Sequence, residues 1–412
     1  MAGWSGVPLG RSFWRLLAAS TSSNLADGVT RVALPLLAAT LTRDPVAVAA
    51  LTALAFLPWL LFALPAGALV DRSDRPRAMA VANTVRALAF GLLAAAVLTG
   101  TAGLPVLYAV AFTIGVAETV YDSAARAVLP QVVTRDQLDR GNGLLTTGES
   151  AGEGFVGAPL GSALFALAAA APFVTNAVVY ALAVVLVLTI AGTSRPVRTA
   201  VAPTTVRRDV ADGVRWLWAH RLLRGLTAVS GVTSLLAALT SGVLVLLALE
   251  TLRVTEAGFG LLLTASAVGA VAGGLTAAPL ARRIGRTATL VLGAALAGSC
   301  FVALGAVSDP WVAGVLLAVD SAAVMLWNVL TMSLRQALIP EELFGRVQGA
   351  YRTVVWGAIP VGALLGGWLA AATTVPTVFL VAGTGQVLVS GWLWRLLRAH
   401  RGEVAGALTS AR

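Results

Sequence analysis

Between two apolar segments of the sequence lies the polar stretch Gly67-Ala68-Leu69-Val70-Asp71-Arg72-Ser73-Asp74-Arg75-Pro76-Arg77. Seven of its eleven residues are charged, glycine or proline. This composition is typical of a tight turn, because glycine and proline interrupt regular structure and charged side chains stay in water. Each flanking segment is long enough to cross a bilayer. The stretch therefore predicts two membrane helices joined by a short polar turn.

The composition indicates a membrane protein throughout. Of the 412 residues, 58% are apolar and 12% are charged, whereas roughly 25% of residues are charged in soluble domains. The net charge of +10 comes from arginines that are spaced singly, which is not the pattern of a nucleic-acid-binding surface. With one cysteine and two histidines, we expect no disulfide framework and no metal site.

Twelve runs of about 18 or more mainly apolar residues indicate twelve membrane helices, because runs of this length satisfy their backbone polar groups in lipid as helices. They cover approximately residues 14–41, 46–70, 78–99, 104–125, 143–168, 172–191, 225–250, 258–281, 287–307, 311–334, 350–372 and 375–397. The sequence therefore predicts an all-α membrane protein.

Arginine placement supports this number of helices. If the amino terminus is cytoplasmic, 24 arginines flank the cytoplasmic ends of the helices, two flank the outer ends and three lie within helices. Cytoplasmic loops of membrane proteins carry such an excess of basic residues. The chain has arginine but no lysine, which indicates a GC-rich bacterial genome. We expect a bacterial cytoplasmic-membrane protein with both termini in the cytoplasm.

The longest connection divides the helices into two groups of six. We expect an amino-terminal bundle over 1–191, a cytoplasmic linker over 192–224, a carboxy-terminal bundle over 225–399 and a cytoplasmic tail over 400–412. Val206, Val210, Val214 and Leu217 recur in the linker at helical spacing. This favours an amphipathic helix on the inner leaflet, although a charged tether between the bundles fits nearly as well.

The two halves are related in sequence. The opening stretch recurs as Ala278-Pro279-Leu280-Ala281-Arg282-Arg283-Ile284-Gly285-Arg286, with Arg282 in place of Asp71. The stretch 133–143 is echoed by 339–349. Two six-helix halves in parallel repeat form a transporter architecture, in which the solute site is expected near the membrane midplane between the halves.

The opening stretch resembles the signature of the major facilitator superfamily, Gly-x-Leu-Ala-Asp-Arg-x-Gly-Arg-Arg. It matches at Gly67, Leu69, Asp71, Arg72 and Arg75 and departs at Val70, Asp74 and Pro76. The resemblance implies that Asp71 meets the start of the eleventh helix and that the arginines form a charge relay with an acid of the fourth helix, here Asp122. The cytoplasmic gate that we expect comprises Gly67, Asp71, Arg72, Arg75, Glu118, Asp122, Arg126, Arg282 and Arg283.

The fifth helix carries a second likeness, to the Gly-Pro motif of the antiporter branch. The matching residues are Gly154, Gly157, Pro159 and Gly161, while Ala158 and Ser162 depart from the commonest form. The stretches 23–36 and 118–124 are similar to those of bacterial exporters related to enterobactin and macrolide efflux proteins. The likeness covers essentially the whole chain and implies export.

Charged residues at membrane depth cost roughly 2.5–3.5 kcal/mol each on insertion scales, so they tend to be functional or paired. Asp27 and Arg31 are four residues apart on one face of the first helix. They form either a self-compensating ion pair or a cavity-facing pair that exchanges partners. Glu149 and Glu153 share one face of the fifth helix and are candidate proton carriers, with salt bridges to cytoplasmic arginines as the alternative.

Arg86, Arg352 and Asp320 are further charges inside helices, and the sequence does not pair them. No phosphate-binding loop with its lysine is present, and no helix supplies a histidine to activate a nucleophile, so we expect neither ATP hydrolysis nor enzymatic activity. The leading hypothesis is a monomeric exporter of small amphiphilic drugs or siderophores, driven by the proton gradient without a cofactor. The alternatives are a proton-coupled importer and a non-transporting sensor or scaffold.

Overall fold

The computed structural model of the protein describes residues 9–134, 137–190 and 206–403. Side chains are described in these ranges except at 63–65, 67–68, 71–72, 139, 206–211 and 341–342. The described chain is helical and contains no strand. The side chains of Gly67, Asp71 and Arg72, which belong to the predicted cytoplasmic gate, lie outside the described residues.

Fifteen helices follow one another along the described part of the chain. They are α1 (Arg11–Leu41), α2 (Pro45–Arg72), α3 (Arg75–Leu98), α4 (Leu104–Val132), α5 (Leu138–Ser150), α6 (Ala158–Leu167), α7 (Ala171–Leu188), α8 (Val206–Ala219), α9 (Arg221–Ser241), α10 (Leu244–Leu246), α11 (Glu256–Ile284), α12 (Arg286–Ala306), α13 (Pro310–Leu338), α14 (Glu341–Ala372) and α15 (Val375–Ala399). Two π-helical turns interrupt this order: the first π turn, Ala151–Gly157, joins α5 to α6, and the second, Leu247–Thr251, follows α10.

Ten of the described helices are long and apolar enough to cross a membrane. Large apolar side chains are exposed on these helices, and Leu92, Leu275 and Leu388 are each at least 70% exposed, as expected of surfaces that lipid covers. The predicted all-α membrane fold is confirmed. Two more long helical segments, α1 and the run from α5 through α6, contain several charged residues. If both of these segments also cross the membrane, the chain has twelve membrane helices. That number stays a prediction.

The turn that opened the sequence analysis is built around a helix cap. Asp74 is the N-cap of α3, and its carboxylate accepts a hydrogen bond from the backbone N–H of Arg77. Its φ of −69° is one that any residue adopts. In the related turn between α11 and α12, Gly285 has a φ of +87°, which favours glycine. Asp74 therefore replaces the glycine of the signature by capping α3 rather than by adopting a left-handed conformation.

Contacts divide the chain into two units. The first comprises Met1–Leu34 and Leu61–Ala200. Within it, α3 packs against α4 and α7, and its core contains Phe13, Met79 and Tyr121. Every membrane charge considered as a coupling group above lies in this first unit.

The second unit comprises Pro35–Leu60 and Val201–Arg412. In it α11 packs against α13, α12 against α15, and α9 against α14. The predicted linker contains the helix α8, which packs against α14. The side chains of Val206 and Val210 lie outside the described residues, and the position of this helix on the inner leaflet stays a prediction. A Cβ at Gly213 would lie 2.5 Å from the carbonyl oxygen of Arg346. On α8 the side chain of Leu217 is buried, while Val214 and Trp218 are exposed.

The hairpin between α1 and α2 belongs to the second unit. A Cβ at Gly367 of α14 would lie 2.8 Å from the carbonyl oxygen of Pro45. Arg43 Nη1 lies 3.7 Å from Glu250 Oε1, a carboxylate of the second π turn. Trp59 and Trp356 pack edge to face with ring centroids 4.4 Å apart. These contacts join the hairpin to α14 and to the second π turn.

Candidate coupling site

A polar cluster lies inside the first unit, where α1, α3 and α7 meet. The carboxylate of Asp27 is shared by two partners: Arg86 Nη1 lies 3.7 Å from Oδ2, and the hydroxyl of Tyr180 donates a 2.6 Å hydrogen bond to Oδ1. The side chain of Arg86 is completely buried, and that of Asp27 is 17% exposed. Asp27 is therefore the principal counter-ion of a guanidinium that has no access to solvent.

Two tyrosines enclose the guanidinium of Arg86. Its Cζ lies 5.2 Å from the ring centroid of Tyr121 and 5.3 Å from that of Tyr180, which is within the range of a cation–π interaction. Phe90 stacks on Tyr180, with the ring centroids 5.7 Å apart. Among the described residues, no hydrogen bond satisfies the three nitrogens of this guanidinium, so its stabilisation is mainly electrostatic.

Amide side chains fix the three helices around the cluster. Asn83 of α3 donates to the hydroxyl of Ser23 at 3.0 Å. Asn176 of α7 donates to the carbonyl oxygen of Ala26 at 3.0 Å and to the hydroxyl of Thr30 at 2.8 Å. Both amides are buried. Because such bonds are lost if a helix slides or rotates, they hold α1 in register with α3 and α7.

A second ion pair joins α1 to the first π turn. Arg31 of α1 is paired with Glu153, whose side chain is 18% exposed. The side chain of Arg31 is 66% exposed, so the pair lies at the edge of the first unit rather than in its core. Asp27 and Arg31, which the sequence places on one face of α1, thus pair with Arg86 and Glu153 rather than with each other.

The first π turn follows from close contact between helix backbones. A Cβ at Gly28 of α1 would lie 2.2 Å from the carbonyl oxygen of Glu153, and one at Gly161 would lie 2.8 Å from that of Val29. Pro159 follows the turn and has no N–H to donate to the carbonyl of Phe155. A π-helical turn therefore occurs where the regular α-helical hydrogen bonding is already interrupted. Such π turns are frequent at functional sites.

The motif residues of the fifth helix are located in and just after this turn. Gly154 and Gly157 lie within it, and Pro159 and Gly161 lie in the first turn of α6. Glu149 lies on α5, where its side chain is exposed. Of the two predicted proton carriers, Glu153 is therefore the one placed in an ion pair.

The predicted cytoplasmic gate is described in part. Asp122 and Arg126 form an ion pair within α4, at 3.6 Å. Arg75 Nη1 donates to the carbonyl oxygen of Ala127 at 2.8 Å, so it meets the same end of α4 through the backbone. Glu118 is half-buried on α4 and interacts electrostatically with Arg86. Arg282 and Arg283 are exposed in the last turn of α11.

Sequence reasoning missed the tyrosines and amides of the cluster. Tyr121, Tyr180, Asn83 and Asn176 each stand within a predicted membrane span, and a hydrogen-bonding side chain at that depth is a signal for a buried polar contact. The sequence places Arg86 inside a helix but does not identify the acid that pairs with it. The structure assigns Asp27 as that acid.

Arg352 and Asp320, which are also charged residues inside predicted helices, lie in the second unit. The guanidinium of Arg352 lies 5.9 Å from the ring centroid of Trp356. Asp320 is buried on α13. Among the residues whose side chains are described, none forms a hydrogen bond with its Oδ1 or an ion pair with its carboxylate.

Comparisons with known proteins are consistent with this architecture. Residues 3–411 match the family described as "Transmembrane secretion effector". A segment of 138 residues is 34% identical to an MFS-type transporter of Mycobacterium tuberculosis, covering 33% of this chain and 31% of that protein. A segment of 176 residues is 29% identical to the enterobactin exporter EntS of Salmonella typhimurium, covering 42% of each chain. These matches span less than half the length of either curated relative.

Solved structures of transporters share the fold. The nucleoside transporter NupG superposes with a TM-score of 0.74 at 14% identity, over 94% of this chain and 99% of that one. A bacterial homologue of the iron transporter ferroportin, in its inward-facing state, superposes with a TM-score of 0.75 at 17% identity, over 95% of this chain and 99% of that one. Since the family match extends over nearly the whole sequence, the resemblance found in the motifs is confirmed: the chain belongs to the transmembrane secretion effector family of the major facilitator superfamily, whose members are multi-pass membrane transporters and not enzymes.

Proposed function

We propose that this transporter exports small amphiphilic compounds, such as drugs or siderophores, in exchange for protons across the bacterial cytoplasmic membrane. The observation that carries the proposal is the pair of ionic contacts made by α1, Asp27 with Arg86 and Arg31 with Glu153. Both contacts join a carboxylate to an arginine on a different element of the first unit. Each can therefore be broken by a proton or by a charged group of a substrate.

Protonation of Asp27 would remove the principal negative charge next to Arg86. A buried arginine without a counter-ion is costly, and the rings of Tyr121 and Tyr180 compensate only part of its charge. The side chains around Arg86 must then rearrange toward another acid, and Glu118 is a candidate because it already interacts electrostatically with Arg86. A proton at Asp27 is in this way linked to a change in how α1, α3 and α4 contact one another.

The second pair is suited to the substrate. The guanidinium of Arg31 is largely exposed at the edge of the first unit, so the polar group of an amphiphile can reach it. The backbone of Glu153 stays in the first π turn while this happens. An anionic group would compete for Arg31 and release Glu153 to take up a proton, and a cationic group would compete for Glu153. Either competition gives exchange of substrate for proton, which is the chemistry of an antiporter.

The proposal extends to the cytoplasmic end of the first unit. Asp71, Arg72 and Arg75 together with Asp122 and Arg126 would form the cytoplasmic gate of an alternating-access cycle. The contact of Arg75 with the backbone of α4 supports this role. We further propose a monomer with both termini in the cytoplasm, organised as bundles over 1–191 and 225–399, a linker over 192–224 and a tail over 400–412.

Two findings favour export over import. One relative at 29% identity is an enterobactin exporter, and the fifth helix carries the glycines and the proline of the antiporter branch around the first π turn. The proton-coupled importer and the non-transporting sensor or scaffold are then outcomes of the experiment that tests the direction of exchange.

The test uses everted vesicles from cells that express the protein, energised by respiration so that the lumen becomes acidic. Ethidium and enterobactin are added separately as probes, and a ΔpH-sensitive fluorescent dye reports the proton gradient. Antiport predicts that a transported probe lets protons leave the lumen, so the quenched dye fluorescence recovers. Proton symport predicts no recovery when the probe is added outside.

Two variants make the result specific. Asp27→Asn should abolish the recovery, because the amide cannot carry the proton. Asp309→Asn is the matched control, since Asp309 caps α13 from an exposed position and asparagine caps as well. Recovery that persists in Asp27→Asn would refute the coupling role of this cluster. A wild type that changes neither the dye signal nor the tolerance of the host cell to either probe would favour the sensor or scaffold.

A further inference from the structure

A small cavity lies in the second unit, where α8, α9, α13 and α14 meet. It contains none of the proposed coupling residues. Its volume available to the centre of a water molecule is about 10 Å³, which is room for one water or one monatomic ion. Apolar side chains form most of its wall. The polar residues that line it are Thr227, Ser230, Thr331, Arg335 and Tyr351.

Arg335 brings a buried positive charge to this cavity. The residue is 9% exposed, and its Nε has no hydrogen-bond partner among the described residues. Its Nη2 donates a weak hydrogen bond to the sulfur of Met332, at 3.5 Å. No carboxylate whose position is described lies within ion-pair distance of it. Buried charges are normally paired, so a buried guanidinium without an acid among the described side chains requires an explanation.

Two features of the fold stabilise Arg335 only in part. The guanidinium lies over the ring of Tyr351, with Cζ 3.8 Å from the ring centroid. It also stands in the last turn of α13, where the helix dipole favours a cation. Neither an aromatic face nor a helix end carries a full negative charge, and both leave the Nε–H without an acceptor.

Ser230 supplies a second donor to the same cavity. Its Oγ is buried and has no hydrogen-bond partner among the described residues. The hydroxyls of Thr227 and Thr331 are different, because they donate to the carbonyl oxygens of Leu223 and Trp327 within their own helices. The cavity thus presents an N–H and an O–H that lack acceptors, beside a positive charge.

These donors and their charge identify the occupant. A water molecule would accept both hydrogen bonds but is neutral, so it would leave the charge of Arg335 uncompensated. A polyatomic anion or a lipid phosphate group exceeds the space. We propose that the cavity binds one monatomic anion, chloride in the cell, held by Arg335 and Ser230. Since Leu217 of α8 also lines the cavity, the anion would help to fasten the linker helix to the second unit.

Thermal unfolding of the purified protein in detergent tests the proposal. Chloride and bromide should raise the Tm in a saturable manner, while gluconate at equal ionic strength should not, because a ligand that binds only the folded state stabilises it. Ser230→Ala removes one donor and should raise the half-saturating chloride concentration about tenfold. Arg335→Gln should abolish the chloride dependence.

Arg398→Gln is the matched control. Arg398 is also an arginine in the last turn of a helix with its guanidinium over an aromatic ring, 4.4 Å from the centroid of Trp394, but it does not line the cavity. This variant should keep the full chloride effect. A chloride effect that Arg335→Gln and Ser230→Ala both retain would overturn the site.

Crystals grown with bromide in place of chloride provide a measurement that does not depend on any variant folding. An anomalous peak between Arg335 Nε and Ser230 Oγ would establish the site. An ordered water there, or an empty cavity, together with a Tm that is the same in chloride and gluconate, would overturn it.

Discussion

Removing either partner of the Asp27–Arg86 ion pair should destabilise the protein about as much as removing both partners together. At 3.7 Å between Nη1 and Oδ2, the Coulomb attraction in a medium of effective dielectric constant about 20 is about 4.5 kcal/mol. Part of this is offset by the desolvation of both groups. We therefore expect Asp27→Asn and Arg86→Gln each to lower the free energy of unfolding by about 3 kcal/mol, because each leaves an unpaired charge in the first unit.

The double variant removes both charges and leaves none unpaired. We expect it to lose about 3 kcal/mol, as one single change does, rather than about 6, so that the coupling energy is about 3 kcal/mol. The assay is unfolding of the purified protein in mixed micelles with increasing sodium dodecyl sulfate, followed by tryptophan fluorescence. Losses that add within about 0.5 kcal/mol would refute the assignment of Asp27 as the counter-ion of Arg86.

The pair Asp122 and Arg126 is a matched control for this cycle. Its atoms are 3.6 Å apart, nearly the same distance, but its side chains are 36% and 53% exposed. Exposed pairs of this kind couple by about 0.5 kcal/mol. A similar coupling energy in both cycles would mean that burial does not strengthen the Asp27–Arg86 contact.

Three further changes test other contacts. Tyr180→Phe removes the donor to the carboxylate of the coupling site and should lower the free energy of unfolding by about 1.5–3 kcal/mol in the same assay; an unchanged value would contradict that bond. Gly28→Ala places a methyl group against the backbone of Glu153, so it should lower the free energy of unfolding by about 1–3 kcal/mol and reduce transport activity. The control is Gly91→Ala, which has open space around it and should leave the free energy of unfolding unchanged or raise it by up to about 1 kcal/mol. Asp320→Asn should leave the Tm unchanged or raise it, because no partner of its carboxylate is present in the described structure; a clear fall in Tm would indicate a partner.

Helix positions were largely predictable because lipid imposes a length and a composition on each span. The helix α15 begins at Val375, as predicted, and α3 ends at Leu98, one residue before its predicted end. The prediction failed where helices continue past the apolar region: α14 begins at Glu341, nine residues before its apolar run. A hydropathy criterion stops at the membrane surface, whereas the backbone hydrogen bonds of a helix continue in water.

The pairing of charges was less predictable, since it depends on which faces of the helices meet. Asp27 and Arg31 are four residues apart, which made a mutual ion pair the simple interpretation. Packing against α3 and the first π turn gives each a different partner. The π turn itself was not anticipated, because it depends on contact with Gly28, more than a hundred residues earlier in the chain.

The two related turns, at Asp74 and at Gly285, bear on how such motifs are written. One begins a helix with a side-chain acceptor at an ordinary φ, and the other uses a positive φ without a side-chain cap. A search pattern that demands glycine at this position would therefore pass over the first turn although it performs the same reversal of the chain. A pattern that admits either glycine or an N-capping residue describes the geometric requirement, and it would recover divergent copies of the turn in other duplicated transporters.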